Sequence, residues 1–373
     1  MSKFRFETLA HLKLLLNIDG IGPQKIFSLL NRFKDFESVV NARYENLIRT
    51  EGISSVLGSK ILASKKELIS IKEKLEKELN FLENLGGELI TYWDDTYPDL
   101  LKKIYFPPLI IYTLGKFSEE DKFTVGIVGT RQPTSYGKMM AEKFSRELAE
   151  KKITVASGLA RGIDSIAHTS TIKAGGRTIA VIGSGLDVIY PPENKKLFQQ
   201  ISENGVIISE FEPGTKPDAQ NFPRRNRIIS GISLGTLVIE TKINGGAMQT
   251  AAYALDQNRE IFSVPGNITS HQSEGPNRLI QRGEAKLVNN VDDILIELKI
   301  KLKPEIGKNI PKPSAELNLF EEKIYNVLSD EPKQIDDIAS NASLSTSDCL
   351  VNLLTLEFKG MIRQLPGKMF IRI

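Results

Sequence analysis

The sequence is poor in the residues that staple or metallate a fold. One cysteine, Cys349, stands in 373 residues, so no disulfide forms within the chain, and three histidines leave too few soft ligands for a zinc site. A reducing, cytoplasmic compartment is the expectation. No run approaches the roughly 18 apolar residues that cross a bilayer. The first residues, with Lys3, Arg5 and Glu7, lack the apolar stretch of a secretory signal, so neither membrane nor export is expected. Net charge is scarce too: 49 basic against 46 acidic side chains leave +3, too little to argue nucleic-acid binding from the total. Any basic site is local. A Gly-x-x-x-x-Gly-Lys-Ser/Thr loop is absent, which excludes a P-loop hydrolase.

What is present reads as a globular protein of two or three domains, with 40% hydrophobic and 25% charged residues. Residues 1–80 carry only helical periodicity. Leu9, Leu12, Leu15 and Leu16 precede a Gly20-Ile21-Gly22-Pro23 break, Ile26, Leu29 and Leu30 follow it, and Glu51-Gly52-Ile53 is a weaker echo. Over residues 81–300 short β-branched runs alternate with amphipathic stretches. Strands are expected at Phe123–Val128, Ile153–Ala156, Thr178–Ile182, Val206–Ser209, Leu237–Glu240, Ile261–Val264 and Lys286–Val288. Seven strands alternating with helices predict an α/β fold with a doubly wound, mostly parallel sheet. Nearly every strand runs into Gly or Ser, so the site is expected in the loops at the carboxyl edge. Residues 301–318 read as a linker. Residues 319–373 follow the pattern of a winged helix-turn-helix, with helices at Leu319–Leu328, Ile335–Ala339 and Ser347–Lys359 before two short strands around Pro366-Gly367.

Three junctions carry the chemistry. Gly129-Thr130-Arg131 lies between the first strand and a helix beginning after Pro133, where amides and the helix end favour an anion and Arg131 can fork onto a phosphate. Read alone, Arg131 is equally a solvated arginine beside a tight turn. Gly158 and Arg161 repeat the pattern in Ser157-Gly158-Leu159-Ala160-Arg161-Gly162-Ile163-Asp164, and Lys173 and Arg177 flank Gly175-Gly176. Asp164 and His168, four apart, can meet on one helix face, but no nucleophile elbow accompanies them, which favours packing over catalysis. Asn221-Phe222-Pro223-Arg224-Arg225-Asn226-Arg227 is the strongest signal: three arginines to follow phosphates and a ring for a base to stack on. Gly183-Ser184-Gly185 lacks the third glycine of a dinucleotide turn, Val188 standing in its place, so no cofactor is expected.

These motifs, together with Gly176-Arg177-Thr178-Ile179-Ala180-Val181, Asp187-Val188-Ile189-Tyr190-Pro191 and Val264-Pro265-Gly266, resemble in one order those of the DNA-processing protein A family, also called Smf or DprA. The resemblance implies a Rossmann-like domain that binds single-stranded DNA, dimerises, and loads the RecA recombinase during natural transformation, without hydrolysis. Carried onto this chain, it implies DNA contacts at Gly129, Thr130, Arg131, Arg177, Phe222, Arg225, Asn226 and Arg227. Gly20-Ile21-Gly22-Pro23 resembles a helix-hairpin-helix or SAM-like element. The alternative from another class is a phosphoribohydrolase, whose Gly-Gly turn Gly245-Gly246-Ala247-Met248-Gln249-Thr250 resembles. That chemistry needs a carboxylate just after the threonine, where Ala251, Ala252 and Tyr253 stand.

Overall fold

Residues 3–85 fold as helices because their apolar residues recur at helical spacing and glycines sit mainly at the breaks. The structure is a computed structural model and describes residues 3–306, 317–329, 333–358, 361–365 and 369–372. Helices α1 (Lys3–Leu16) and α2 (Pro23–Phe33) form the expected hairpin. Gly20 turns it at φ +92°, and Pro23 stands in the first turn of α2, where no amide is missed. Short helices α3 (Phe36–Val40) and α4 (Tyr44–Ile48) lead to α5 (Ser55–Ser64) and the long α6 (Leu68–Leu85), which Gly86 ends in the left-handed conformation. Leu12, Ile26, Ile61 and Leu75 of these helices share one core with Ala180, Ile182 and Ile207 of the sheet. Helix α6 runs through residue 80, and the division of the chain into compact units falls later, at Lys301–Leu302.

The first unit continues with β1 (Gly87–Thr91), α7 (Asp99–Lys102), β2 (Ile110–Gly115), β3 (Thr124–Val128), α8 (Ser135–Glu150), β4 (Thr154–Ser157), α9 (Ile163–Lys173) and β5 (Thr178–Ile182). It then runs through α10 (Lys195–Asn204), β6 (Val206–Ser209), α11 (Asn221–Gly231), β7 (Gly235–Val238), α12 (Gly246–Asp256), β8 (Glu260–Ser263), α13 (Glu274–Gln281), β9 (Lys286–Leu287) and, up to Lys301, α14 (Val291–Ile306). Nine strands pair in the order β1-β2-β6-β5-β4-β3-β7-β8-β9. The seven expected strands form the parallel part, and two that the sequence reading missed, β1 and β2, extend it antiparallel beyond β6. Central strands such as β3 and β5 are buried along their whole length, as a sheet covered on both faces requires. One face packs Phe144, Leu148 and Ile294 over Ile127. The other packs Ile228, Ile229 and Ala251 over Ile179 and Val238. From β3 the chain winds outward to β6, then returns to the other side of β3 as β7, and that reversal opens a crevice at the carboxyl ends of the two strands.

In the second unit, α15 (Leu319–Val327), β10 (Lys333–Gln334), α16 (Ile335–Ala342), α17 (Thr346–Phe358), β11 (Ile362–Leu365) and β12 (Met369–Arg372) have the winged-helix arrangement, with the sheet ordered β10-β12-β11. Ile324, Ile338, Leu353, Ile362 and Phe370 fill its core. The expected linker begins later than residue 301, since α14 is helical to Ile306. Residues 307–316, Lys359 and the turn at Pro366-Gly367 lie outside the described residues.

Candidate functional site

A cleft of 890 Å³ opens where the strand order reverses, walled by Gly129 to Gln132 after β3, Ala160 and Asp164 after β4, Tyr190 after β5, residues between Pro217 and Ile229 after β6, and residues between Thr241 and Thr250 after β7. Backbone contacts lock these junctions together. The Thr130 amide donates to the Glu240 carbonyl (2.6 Å), and the Ile163 amide donates to the Thr130 carbonyl (3.2 Å). Glycine is required at two of the meeting points. A Cβ on Gly129 would lie 2.5 Å from the Ile163 side chain, and one on Gly162, which has φ +77°, would lie 2.4 Å from the Thr130 carbonyl oxygen.

Arg131 projects from this turn, exposed, and its guanidinium lies 5.3 Å from the centroid of the Phe222 ring. Phe222 sits in the first turn of α11, where Pro223 forfeits no hydrogen bond. Its ring packs over Gly183, whose added Cβ would lie 3.2 Å away, and 5.9 Å from the Tyr190 ring. An arginine and two aromatic rings therefore share one mouth. Asn226, a turn further on, lines the cleft and reaches the Gly246 carbonyl at 3.5 Å. Gly158 and Arg161 line a small recess beside it with Arg131 and Phe222.

Arg225 also reaches the cleft, but as part of its floor. It is 4% exposed, and one of its amino groups donates to the carbonyls of Gly158 and Val181, at the ends of β4 and β5. Gly158 makes room for it, since a Cβ there would lie 2.4 Å from the guanidinium. Burial draws Arg225 down to about 10, with Asp164 opposing the shift. The Asp164 carboxylate accepts from the amides of Gly158 (3.2 Å) and Ala160 (3.3 Å), and burial raises it despite Arg225 nearby. His168 is bound elsewhere, to the Thr178 hydroxyl at 2.6 Å, and burial pushes it down to about 3. Asp164 and His168 thus hold backbone and strand in place.

Four expected DNA contacts fall outside the cleft. Lys173 stands at the far end of α9 and Arg177 just before β5, so both lie at the amino edge of the sheet. Arg177 is spent on Asp121 (2.9 Å) and the Lys116 carbonyl (2.9 Å). Residues just before a parallel strand are placed opposite those just after it, a separation the motif pattern does not display. Arg227 pairs with Glu210, both largely buried, and Arg224 is exposed with its guanidinium 5.7 Å from the centroid of the Phe211 ring. Arg225 follows Arg224 by about 100° around the helix and so turns to another face. Within the recess, Arg161 pairs with Glu193.

The amino end of α8 is not open to an anion, contrary to expectation. Thr134 caps it by accepting from the Gly137 amide, and the buried Glu240 carboxylate takes the Thr134 amide (2.9 Å) and hydroxyl (2.6 Å). Lys242 on the β7 wall is a cleft cation the sequence reading passed over. The available signal was its place between a β-strand and the Gly245-Gly246 helix start. At the Gly20 hairpin, Lys25 donates to the Gly20 carbonyl (2.6 Å) and Lys60 to the Asp19 carbonyl (3.3 Å), so the nearby lysines close the turn.

Comparison with known proteins agrees with this architecture. The model of the family described as DNA recombination-mediator protein A matches residues 88–299, and that of the DprA winged helix domain matches residues 310–368. The chain belongs to this family. The family's Protein Smf from Synechocystis sp. is 35% identical over 95% of this chain and 96% of its own, and the DNA processing protein DprA of Bacillus subtilis is 41% identical over 64% of this chain and 80% of its own. Among solved family structures, DNA processing protein A of Streptococcus pneumoniae superposes with a TM-score of 0.64 at 30% identity, covering 80% of this chain and 99% of its own. That of Helicobacter pylori, described for its single-stranded DNA binding mode, superposes at 0.52 and 29% identity over 58% of this chain and 96% of its own. Among the described residues no helix is long and apolar enough to cross a membrane.

Proposed function

We propose that this protein binds single-stranded DNA in the cleft between β3 and β7, loads the RecA recombinase onto it during transformation or recombination, works as a homodimer, and hydrolyses nothing. The observation that carries the reading is Arg131 held over Phe222 at the cleft mouth, a phosphate-seeking fork beside a base-stacking ring. The single-stranded DNA binding of the Helicobacter pylori relative supports it. The contacts proposed for DNA are Gly129, Thr130, Arg131, Gly158, Arg161, Phe222 and Asn226, with Arg225 holding the floor. The winged helix is assigned to a protein contact, because α17 exposes Leu350 and Val351 and carries Asp348 where a groove reader needs positive charge.

The phosphoribohydrolase alternative lacks its carboxylate in space as well as in sequence: Ala251 follows Thr250 into the core, and the cleft's Asp164 is committed to two amides. Titration of single-stranded and blunt duplex oligonucleotides at matched salt tests the reading. Tighter binding of the single strand, without base preference and without nucleotide turnover, is expected. Equal affinity for both forms, or turnover that Asp164→Ala abolishes, overturns it.

A further inference from the structure

The β7 wall of the cleft has a chemistry of its own. Helix α12 opens into the cleft at Gly246 behind Gly245, and no side chain caps it. Its first amides, those of Gly246 and Ala247, precede the first intrahelical bond. A Cβ at Gly246 would meet nothing within 4 Å, so the approach is open. This is the reverse of α8, whose amino end Thr134 and Glu240 fill.

A second, independent feature lies one turn on. Thr250 is 1% exposed yet lines the cleft, and its hydroxyl makes no hydrogen bond among the described residues. Thr250 stands one turn after Gly246 on α12, so it lines the cleft directly behind the open first turn. Lys242, exposed on the loop before α12, lines the same wall, and no carboxylate pairs with it among the described residues. Two amides, a hydroxyl and an ammonium face the same space, while the cleft's Asp164 is already bonded to the amides of Gly158 and Ala160.

We propose that this wall is a second phosphate subsite, formed by Lys242, the Gly246 and Ala247 amides and the Thr250 hydroxyl, which takes a phosphodiester of the same strand whose neighbouring phosphate Arg131 holds. The inference rests on the single-stranded DNA reading and adds a second anchor to it. Four donors around a helix end that no side chain caps suit a tetrahedral anion with several acceptor oxygens. Anchors on the β3 and β7 walls would hold the strand across the crevice, with Phe222 available to a base.

Oligo-dT titrations over a range of salt test it on the full chain. Lys242→Ala is expected to flatten the slope of log affinity against log salt by about 0.7, one lost phosphate contact, and Lys242→Ala with Arg131→Ala by about 1.4. Thr250→Val, which removes the hydroxyl at constant shape, is expected to weaken binding about tenfold with the slope unchanged, and Thr250→Ser to restore it. Wild-type protein that fails to bind oligo-dT defeats the DNA reading itself. Wild-type binding that Arg131→Ala weakens, with affinity and slope untouched by both Lys242→Ala and Thr250→Val, overturns the subsite alone. Should Thr250→Val not fold, the exposed Lys242 decides the matter through its slope.

Discussion

Arg131 and Phe222 touch before any ligand arrives, so their contributions to binding are coupled. Phe222→Ala is expected to cost about 1–3 kcal/mol of single-stranded DNA affinity, the loss of one base–aromatic stack. Arg131→Ala is expected to flatten the salt slope by about 0.7. Because each holds the other, the double variant is expected to lose less than the sum, and a double-mutant cycle by titration measures the difference. Strict additivity would mean that the two make separate contacts. Arg225, from the same arginine cluster, belongs to stability. Arg225→Met leaves the Gly158 and Val181 carbonyls without their donor and Asp164 without its neighbouring charge, and is expected to lower unfolding free energy by about 3 kcal/mol in a denaturant titration. An unchanged midpoint would return Arg225 to the role of a ligand contact.

At the scale of elements, the parallel strands were legible because each is a short β-branched run ending in glycine or serine. Strands β1 and β2 were not. Ile110 to Tyr112 is a continuous buried run that suits a core helix as well as a strand, and β1 follows α6 after only Gly86, so neither has the bounded alternation that marks an edge. Their place was decided by antiparallel pairing onto β6. The Gly-rich junctions were found, but the reason for each glycine is tertiary. Gly162→Ala would force the β3 and β4 junctions apart, since the residue combines φ +77° with a Thr130 carbonyl oxygen 2.4 Å from the added carbon. A stability loss of about 1–3 kcal/mol in thermal unfolding, together with weaker DNA binding, is expected. A variant as stable and as tight as wild type would show that the junctions move independently.

For the molecule as a whole, the buried His168 links stability to pH. Its folded value is pushed from 6.5 down to about 3, so between those limits the unfolded chain binds a proton that the folded chain refuses. Stability therefore falls as pH falls through that window, by about 1.4 kcal/mol per unit. Asp164, raised by burial, works in the opposite sense: its contribution is present at low pH and is lost as pH rises through its folded value. Urea titrations near pH 7 and near pH 5 are expected to differ by about 2 kcal/mol, and His168→Gln to remove that difference. A difference that survives the substitution would assign the pH dependence to other groups.

The sequence by itself determined the class of the fold, the carboxyl edge as the expected place of the site, and Arg131 and Phe222 as separate candidates, because periodicity, strand-end glycines and residue chemistry are local properties written in order along the chain; that the two meet is tertiary. What only the tertiary structure decided is direction. Arg131 faces the cleft, Arg225 the interior and Arg227 its own carboxylate, while Arg177 stands at the other edge of the sheet. A side chain's partner is set by the strand or helix that packs against it, and for Arg225, Arg227 and Arg177 the hydrogen-bond partners lie between 17 and 67 residues away.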